Sequence, residues 1–253
     1  MELVRRGITR SREDAKRLIQ AGSVTVNGSE LVKAATLVAD SATIELVSDE
    51  PQWASRAGFK LDHALSEFDI DATGARALDV GASTGGFTDV LLAQGAASVT
   101  GVDVGYGQMV WRLSQDPRVT VVDRTNFRTL DPVALGEPFS LVVIDVSFIS
   151  VRLISAQLAA VGAGSADYVV LVKPQFEVGR GIVGKGGIVT DQAAQAAAIV
   201  GVVDELASNG IGALGLTTSP ITGSKGNREF LLHARRDGVT ALDHAQVATE
   251  VSR

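Results

Sequence analysis

Short apolar runs alternate with stretches whose apolar positions return every three or four residues across most of this chain. The runs fall at 77–80, 98–103, 119–123, 139–145, 168–173, 213–219 and 228–235, and they have the length of buried strands. Between them, Leu61, Ala64, Leu65 and Phe68 keep a helix period within 58–68, and 87–94, 153–161 and 191–207 read as further helices. Such alternation predicts an α/β fold with a doubly wound, mostly parallel sheet, whose ligands sit beyond the carboxyl ends of its strands. If the run at 228–235 is the one antiparallel strand, its head starts on that same edge.

The first 48 residues have a different rhythm. Ser11 with Asp14 marks a helix start, Ala15, Leu18 and Ile19 form its buried stripe, and Gly22 stops it. Residues 23–28 read as a strand entering an Asn27-Gly28 turn, with 31–38 and 43–47 as pairing partners. Composition then breaks at Pro51, and Trp53 either anchors the connection by packing or belongs to a hinge. The expected organisation is a small α+β domain at 1–48, a linker at 49–57 and the α/β domain at 58–253.

A chain of 253 residues supports one domain of roughly 200 residues beside a small one. Cysteine is absent, which excludes disulfides and thiolate metal sites and fits a reducing compartment. No apolar run reaches the roughly 18 residues of a spanning helix, and no signal peptide opens the sequence, so a soluble cytoplasmic protein is expected. His63, His233 and His244 are scattered without ligand spacing, and no metal is expected. The oligomeric state is left open by the sequence, with a monomer favoured. Net charge is −6, yet Arg5, Arg6, Arg10, Arg12, Lys16 and Arg17 crowd a segment whose only acids are Glu13 and Asp14. Arg12 and Lys16 share a helix face at i, i+4. A solvated helix and a polyanion-binding face both produce this pattern.

The most informative stretch is Ala77-Leu-Asp-Val-Gly-Ala-Ser-Thr-Gly-Gly-Phe-Thr88. Gly81, Gly85 and Gly86 make a tight loop between strand and helix, where a side chain would keep a ligand off the backbone and where φ > 0 is cheap without Cβ. The spacing is not G-x-G-x-x-G, so a smaller cationic ligand fits better than a dinucleotide pyrophosphate. Asp79 can balance a positive charge, and Asp103, at the end of the following strand, can accept hydrogen bonds from both hydroxyls of a ribose. The arrangement resembles the S-adenosylmethionine site of class I methyltransferases. That resemblance implies cofactor contacts from Asp79, Gly81, Ala82, Ser83, Thr84, Gly85, Gly86, Phe87 and Asp103. Asp123 or Asn126 would meet the adenine edge or simply form a turn, and Met109 and Trp111 would wall the pocket or pack in the core.

Charges also stand at strand ends where a core would want none. Asp145 closes the run Leu141 to Ile144, Lys173 closes Val169 to Val172 ahead of Pro174, and Glu229 heads Phe230 to Leu232. Lys60 lies near a helix start, off the apolar stripe. A structural ion pair explains one such charge better than four on one edge.

Three resemblances tie these features together. The motif G-I-T-R-S-R-E-D-A-K-R-L-I-Q-A-G-S-V-T-V-N-G, Gly7 to Gly28, resembles the S4 RNA-binding domain, whose first helix would begin upstream of Met1; this implies RNA contacts from Arg5, Arg6, Arg10, Arg12, Lys16 and Arg17. Lys60, Asp145, Lys173 and Glu229 have the order of the K-D-K-E tetrad of ribose 2'-O-methyltransferases. With G-A-S-T-G-G-F, D-V-S-F, L-V-K-P-Q-F-E and G-N-R-E-F, the chain is similar end to end to the TlyA family, named as hemolysin or as rRNA 2'-O-methyltransferase.

The TlyA resemblance implies methyl transfer from S-adenosylmethionine to a cytidine 2'-oxygen of ribosomal RNA, in the large subunit and also the small in some members. By family analogy Lys173 is the general base or the oxyanion stabiliser, Asp145 and Glu229 orient it, and Lys60 supports the oxygen. Two carboxylates would keep Lys173 charged, whereas burial, Lys60 and a sulfonium would favour its neutral form, so both roles stay open. The loops at 185–190 and 224–226 either close over RNA or merely connect. A pore-forming hemolysin and a non-catalytic ribosome-binding factor are the competing classes.

Overall fold

The computed structural model describes residues 2–9, 11–20, 24–26, 29–30, 34–39, 41–46, 53–179, 181–223 and 226–253. It divides into two compact units, Met1–Ser55 and Arg56–Arg253.

In the first unit, helices α1 (Glu2–Arg5) and α2 (Arg12–Gln20) accompany a three-stranded antiparallel sheet of β1 (Val24–Val26), β2 (Ser29–Glu30) and β3 (Ile44–Leu46), with β1 central. Leu3, Ala15, Ile19 and Val24 form its core, with Leu18 packed alongside, so the stripe expected of this helix is the buried one. Gly22 and the Asn27-Gly28 turn lie outside the described residues. The strand expected within 31–38 is displaced: β1 pairs with Ser29–Glu30, while residues 34–39 form a turn and irregular chain. Val26 pairs with Ser29, and apolar content alone did not fix that register.

The second unit runs α3 (Ala57–Glu67), β4 (Arg76–Val80), α4 (Gly86–Ala93), β5 (Ser98–Val102), α5 (Trp111–Ser114), β6 (Val119–Val122), β7 (Phe139–Ile144), α6 (Ser155–Val161), β8 (Gly162–Val172), α7 (Pro174–Glu177), α8 (Gln192–Ser208), β9 (Ile211–Thr218), β10 (Phe230–Arg236) and α9 (His244–Ser252). Its seven-stranded sheet has the order β6-β5-β4-β7-β8-β10-β9. Pairing is parallel from β6 to β8, and β10 is antiparallel to both of its neighbours. This is the mostly parallel α/β sheet with one reversed strand that the alternation predicted.

The central strands bury both faces. Leu78, Val80, Val142, Ile144, Val170, Val172, Phe230 and Leu232 belong to one cluster, and the intervening Ala77, Val143, Val169, Leu171 and Leu231 are equally buried. Continuous apolar runs, rather than alternation, are what a sheet covered on two sides requires. Truncating one of these side chains to alanine costs about 2–5 kcal/mol. The rigid platform matters for function because its strand ends hold the charged residues in register.

Candidate active site

The glycine loop owes its shape to the chain's own atoms as much as to any ligand. Gly81 has φ 89°, and a Cβ there would come within 2.5 Å of the Asp145 carbonyl oxygen. Gly85 has φ 94°, and its Cβ would lie 2.5 Å from Leu113 Cδ1. So the loop closes against the end of β7 on one side and against α5 on the other, which changes the steric reason expected from the sequence. Met109 is buried and packs beside Gly85 and Gly101, whereas Trp111 is 77% exposed; neither lines the cleft next to the loop.

That cleft has a volume of about 540 Å³ and opens at the carboxyl ends of β4, β5 and β7. Gly81, Ser83, Asp103 and Asn126 line it, as expected, together with Gln108, Phe127, Arg128, Asp145, Ser147 and Phe148. Asp103 is fixed by the amides of Ser83 (2.9 Å to Oδ2) and Gly105 (2.7 Å to Oδ1). A carboxylate has about four acceptor positions, so it retains lone pairs for a ligand. Asp123 stands elsewhere: it accepts from the Gly107 amide at 2.7 Å and braces the 105–108 turn instead of lining the cleft. Ala82 and Phe87 are buried beneath the loop, and the Thr84 carbonyl accepts from the Val110 amide; these, with Gly85 and Gly86, shape the loop without lining the cavity.

Asp79 is fully buried behind the loop. Its Oδ2 accepts from the Thr88 amide (3.0 Å) and hydroxyl (2.7 Å), while Oδ1 has no partner. Burial pushes the Asp79 carboxyl up to about 7; the Thr88 hydrogen bonds oppose this, and the nearby charges of Asp145 and Asp103 reinforce it. An orphaned carboxylate oxygen under a glycine loop suits a cationic ligand.

The three charges at the strand ends and Lys60 of α3 form two ion pairs. Lys173 Nζ lies 2.5 Å from Asp145 Oδ1 and donates to Ser147 Oγ at 2.8 Å. Lys60 Nζ donates to Glu229 Oε2 at 2.5 Å, with both side chains buried. Glu229 is thus engaged by Lys60, not by Lys173 as family analogy implied. The reversed direction of β10 explains how Glu229 arrives: Phe230 pairs with Val172, so continuing the register one step sets Glu229 opposite Lys173. Neighbours across an antiparallel ladder have Cα atoms about 4.5–5.5 Å apart. Lys60 does lie near a helix start, in the first turn of α3, but it is buried against its acid.

Sequence reasoning missed three parts of this centre. Ser147 was read only as part of a motif. Phe148 has φ 68° and is 87% exposed at the cleft rim, with its ring 5.3 Å from that of Phe176. A bulky residue at positive φ costs of order 1–3 kcal/mol and belongs at sites where the conformation is needed. Glu177 is buried, accepts from Ser150 Oγ (2.5 Å) and the Val151 amide (2.8 Å), and so ties the helix after Lys173 to the loop after Asp145. Of the two loops that either close over RNA or merely connect, the first is held by Asn227, which accepts from the Val189 amide and donates to the Gly187 carbonyl; residues 224 and 225 of the second lie outside the described residues.

In the first unit, the clustered cations divide. Arg5 pairs with Glu2, and Arg6 donates to the Ala42 and Ala39 carbonyls, so both have structural partners. Arg12 and Lys16 project from α2 as exposed side chains. Arg10 and the side chain of Arg17 lie outside the described residues. Among the described residues no group of His, Cys, Asp and Glu could hold a metal ion, and no helix is long and apolar enough to cross a membrane.

Comparison with known proteins agrees with this geometry. Residues 53–236 match the family described as FtsJ-like methyltransferase. The 16S/23S rRNA (cytidine-2'-O)-methyltransferase TlyA of Mycobacterium tuberculosis is 47% identical over 253 residues, covering 100% of this chain and 94% of that protein. Hemolysin A of Brachyspira hyodysenteriae is 39% identical over 228 residues, covering 90% of this chain and 95% of that protein. A solved structure from Streptococcus thermophilus that bears a hemolysin name superimposes with a TM-score of 0.81 at 38% identity, covering 99% of this chain and 92% of that one.

Proposed function

Because the chain belongs to the TlyA family of FtsJ-like methyltransferases, we propose that it methylates the 2'-oxygen of a cytidine in ribosomal RNA, with S-adenosylmethionine as donor. The large subunit is the expected substrate and the small subunit a second one, and the enzyme works in the cytoplasm. The observation that supports this best is a lysine–carboxylate pair whose acid, Asp145, lines a cleft with a glycine loop and an acid for a ribose, and a second such pair that strand register brings next to Lys173.

When bound, the cofactor would supply an electrophilic methyl group carried on a sulfonium. Asp103 holds the ribose of the donor, and Gly81 leaves its backbone open to it. Asp79 supplies the balancing negative charge from below the loop. Lys173, 2.5 Å from Asp145, steadies the developing alkoxide, and the proton of the 2'-hydroxyl passes to solvent water at the open mouth of the cleft. Lys60 and Glu229 form a buried pair whose acid the β10–β8 register sets opposite Lys173, where it supports that residue. The exposed ring of Phe148 offers the target base a surface for stacking, an interaction worth about 1–3 kcal/mol per base. Residues 1–48 form an S4-like domain joined by the 49–57 linker, and the exposed Arg12 and Lys16 supply phosphate contacts.

Labelled-methyl transfer to purified ribosomal subunits, followed by mapping of alkali-resistant linkages, tests the reading, since 2'-O-methylation alone blocks cleavage of the RNA backbone by alkali. Label that enters a base, or no label in either subunit, would overturn it. A lysis assay with Lys173→Ala separates the hemolysin reading, because pore formation would survive loss of a methyl-transfer residue.

A further inference from the structure

We propose that Ser147 is a positioning residue of the transfer reaction, fixing the rotation of the Lys173 ammonium group; this rests on the ribose-methylation reading and deepens it. The Lys173 contact with Asp145 is an ion pair, which sets where the charge sits. The hydrogen bond that sets how the group is turned goes to Ser147 Oγ at 2.8 Å. An ammonium on a carbon stem has one free rotation, and fixing one N–H along a bond fixes the directions of the other two. The Ser147 bond thus sets the directions of the two remaining N–H groups, while Asp145 holds the charge in place.

Three features show that Ser147 is held for this purpose. It lines the cleft beside Asp145 while bonding to a lysine that is itself buried. The residue after it, Phe148, takes a left-handed conformation, which turns the chain sharply at that point. The far end of the loop is fastened by Glu177, through Ser150 and the Val151 amide, and by Arg152, which donates to the Glu177 carbonyl at 2.8 Å. Glu177 ends the short helix that begins directly after Lys173, so one element anchors both the lysine and the loop that steers it.

The test compares Ser147→Ala, Ser147→Cys and Ser147→Thr in the full chain, measuring kcat and KM for S-adenosylmethionine in methyl transfer to ribosomal subunits and cofactor binding by calorimetry. Alanine and cysteine, which lack a good acceptor for an ammonium, should lower kcat about ten- to a hundredfold with cofactor KM within about twofold. Threonine, which keeps the hydroxyl, should stay within about threefold of the parent. The inference is overturned if alanine keeps the parent kcat, if cofactor KM rises while kcat holds, or if threonine falls as far as alanine. Should alanine not fold, the contrast between cysteine and threonine decides. Failure of the parent protein to produce alkali-resistant linkages would strike the functional reading, whereas an active parent matched by an equally active cysteine variant strikes only the role of Ser147.

Discussion

Cations are used in opposite ways in the two units. On α2, Arg12 and Lys16 stand in solvent; in the catalytic unit, Lys60 and Lys173 are buried, each within 2.5 Å of a carboxylate. An exposed charge acts at long range and is weakened by salt, while a buried pair acts over one bond length and hardly feels ionic strength. On the function proposed above, the exposed amino-terminal charges would govern whether RNA is captured and the buried ones what happens to it.

The sharpest way to break this division is Lys173→Ala, which should lower kcat about 100- to 1000-fold while cofactor binding by calorimetry persists. Gly223→Ala comes next. A Cβ at 223 would lie 2.3 Å from Glu229 Oε1, so the carboxylate must swing away from Lys60, and kcat should fall about tenfold together with a lower melting temperature.

Asp79 gives a pH signature. Between the ordinary 3.8 and about 7, the folded chain holds a proton that the unfolded chain has released, so the stability of the free protein falls as pH rises through that window. A cationic donor favours the ionised form, so cofactor affinity should rise as pH passes 7 and then level off. In Asp79→Asn both trends should be flat; a parent affinity independent of pH from 6 to 8 would refute the charge-balancing role. The smallest effect is expected from reversing Arg12 and Lys16 to glutamate: RNA affinity drops several-fold at low salt, the salt dependence becomes shallower, and cofactor affinity is unchanged. Equal RNA affinity at low salt would remove these two residues from the RNA face.

Much of this architecture was readable because it repeats simple signals. Runs such as Leu141–Ile144 and Val169–Val172 are apolar throughout since both faces of their sheet are covered, and Asp145 and Lys173 stand out because nothing else polar interrupts those runs. The pairing of Lys60 with Glu229 was not readable in detail: it depends on the register of β10 against β8 and on a helix far away in sequence. Phe148 gave no warning either, since positive φ is signalled by glycine or asparagine and not by an aromatic. At Asp123 the sequence left two readings open, because a strand-end acid looks the same whether it meets a ligand or the amide of a nearby turn, and the structure has the turn.

Strand order across the sheet is not the order of synthesis. β10 inserts between β8 and β9, so the pair that closes on Glu229 can form only after the final strand has been made and threaded into place. A nascent chain halted before residue 229 already has every strand that frames the donor cleft, yet holds Lys60 without its acid. The Lys60–Glu229 pair therefore depends on β10 taking its place between β8 and β9.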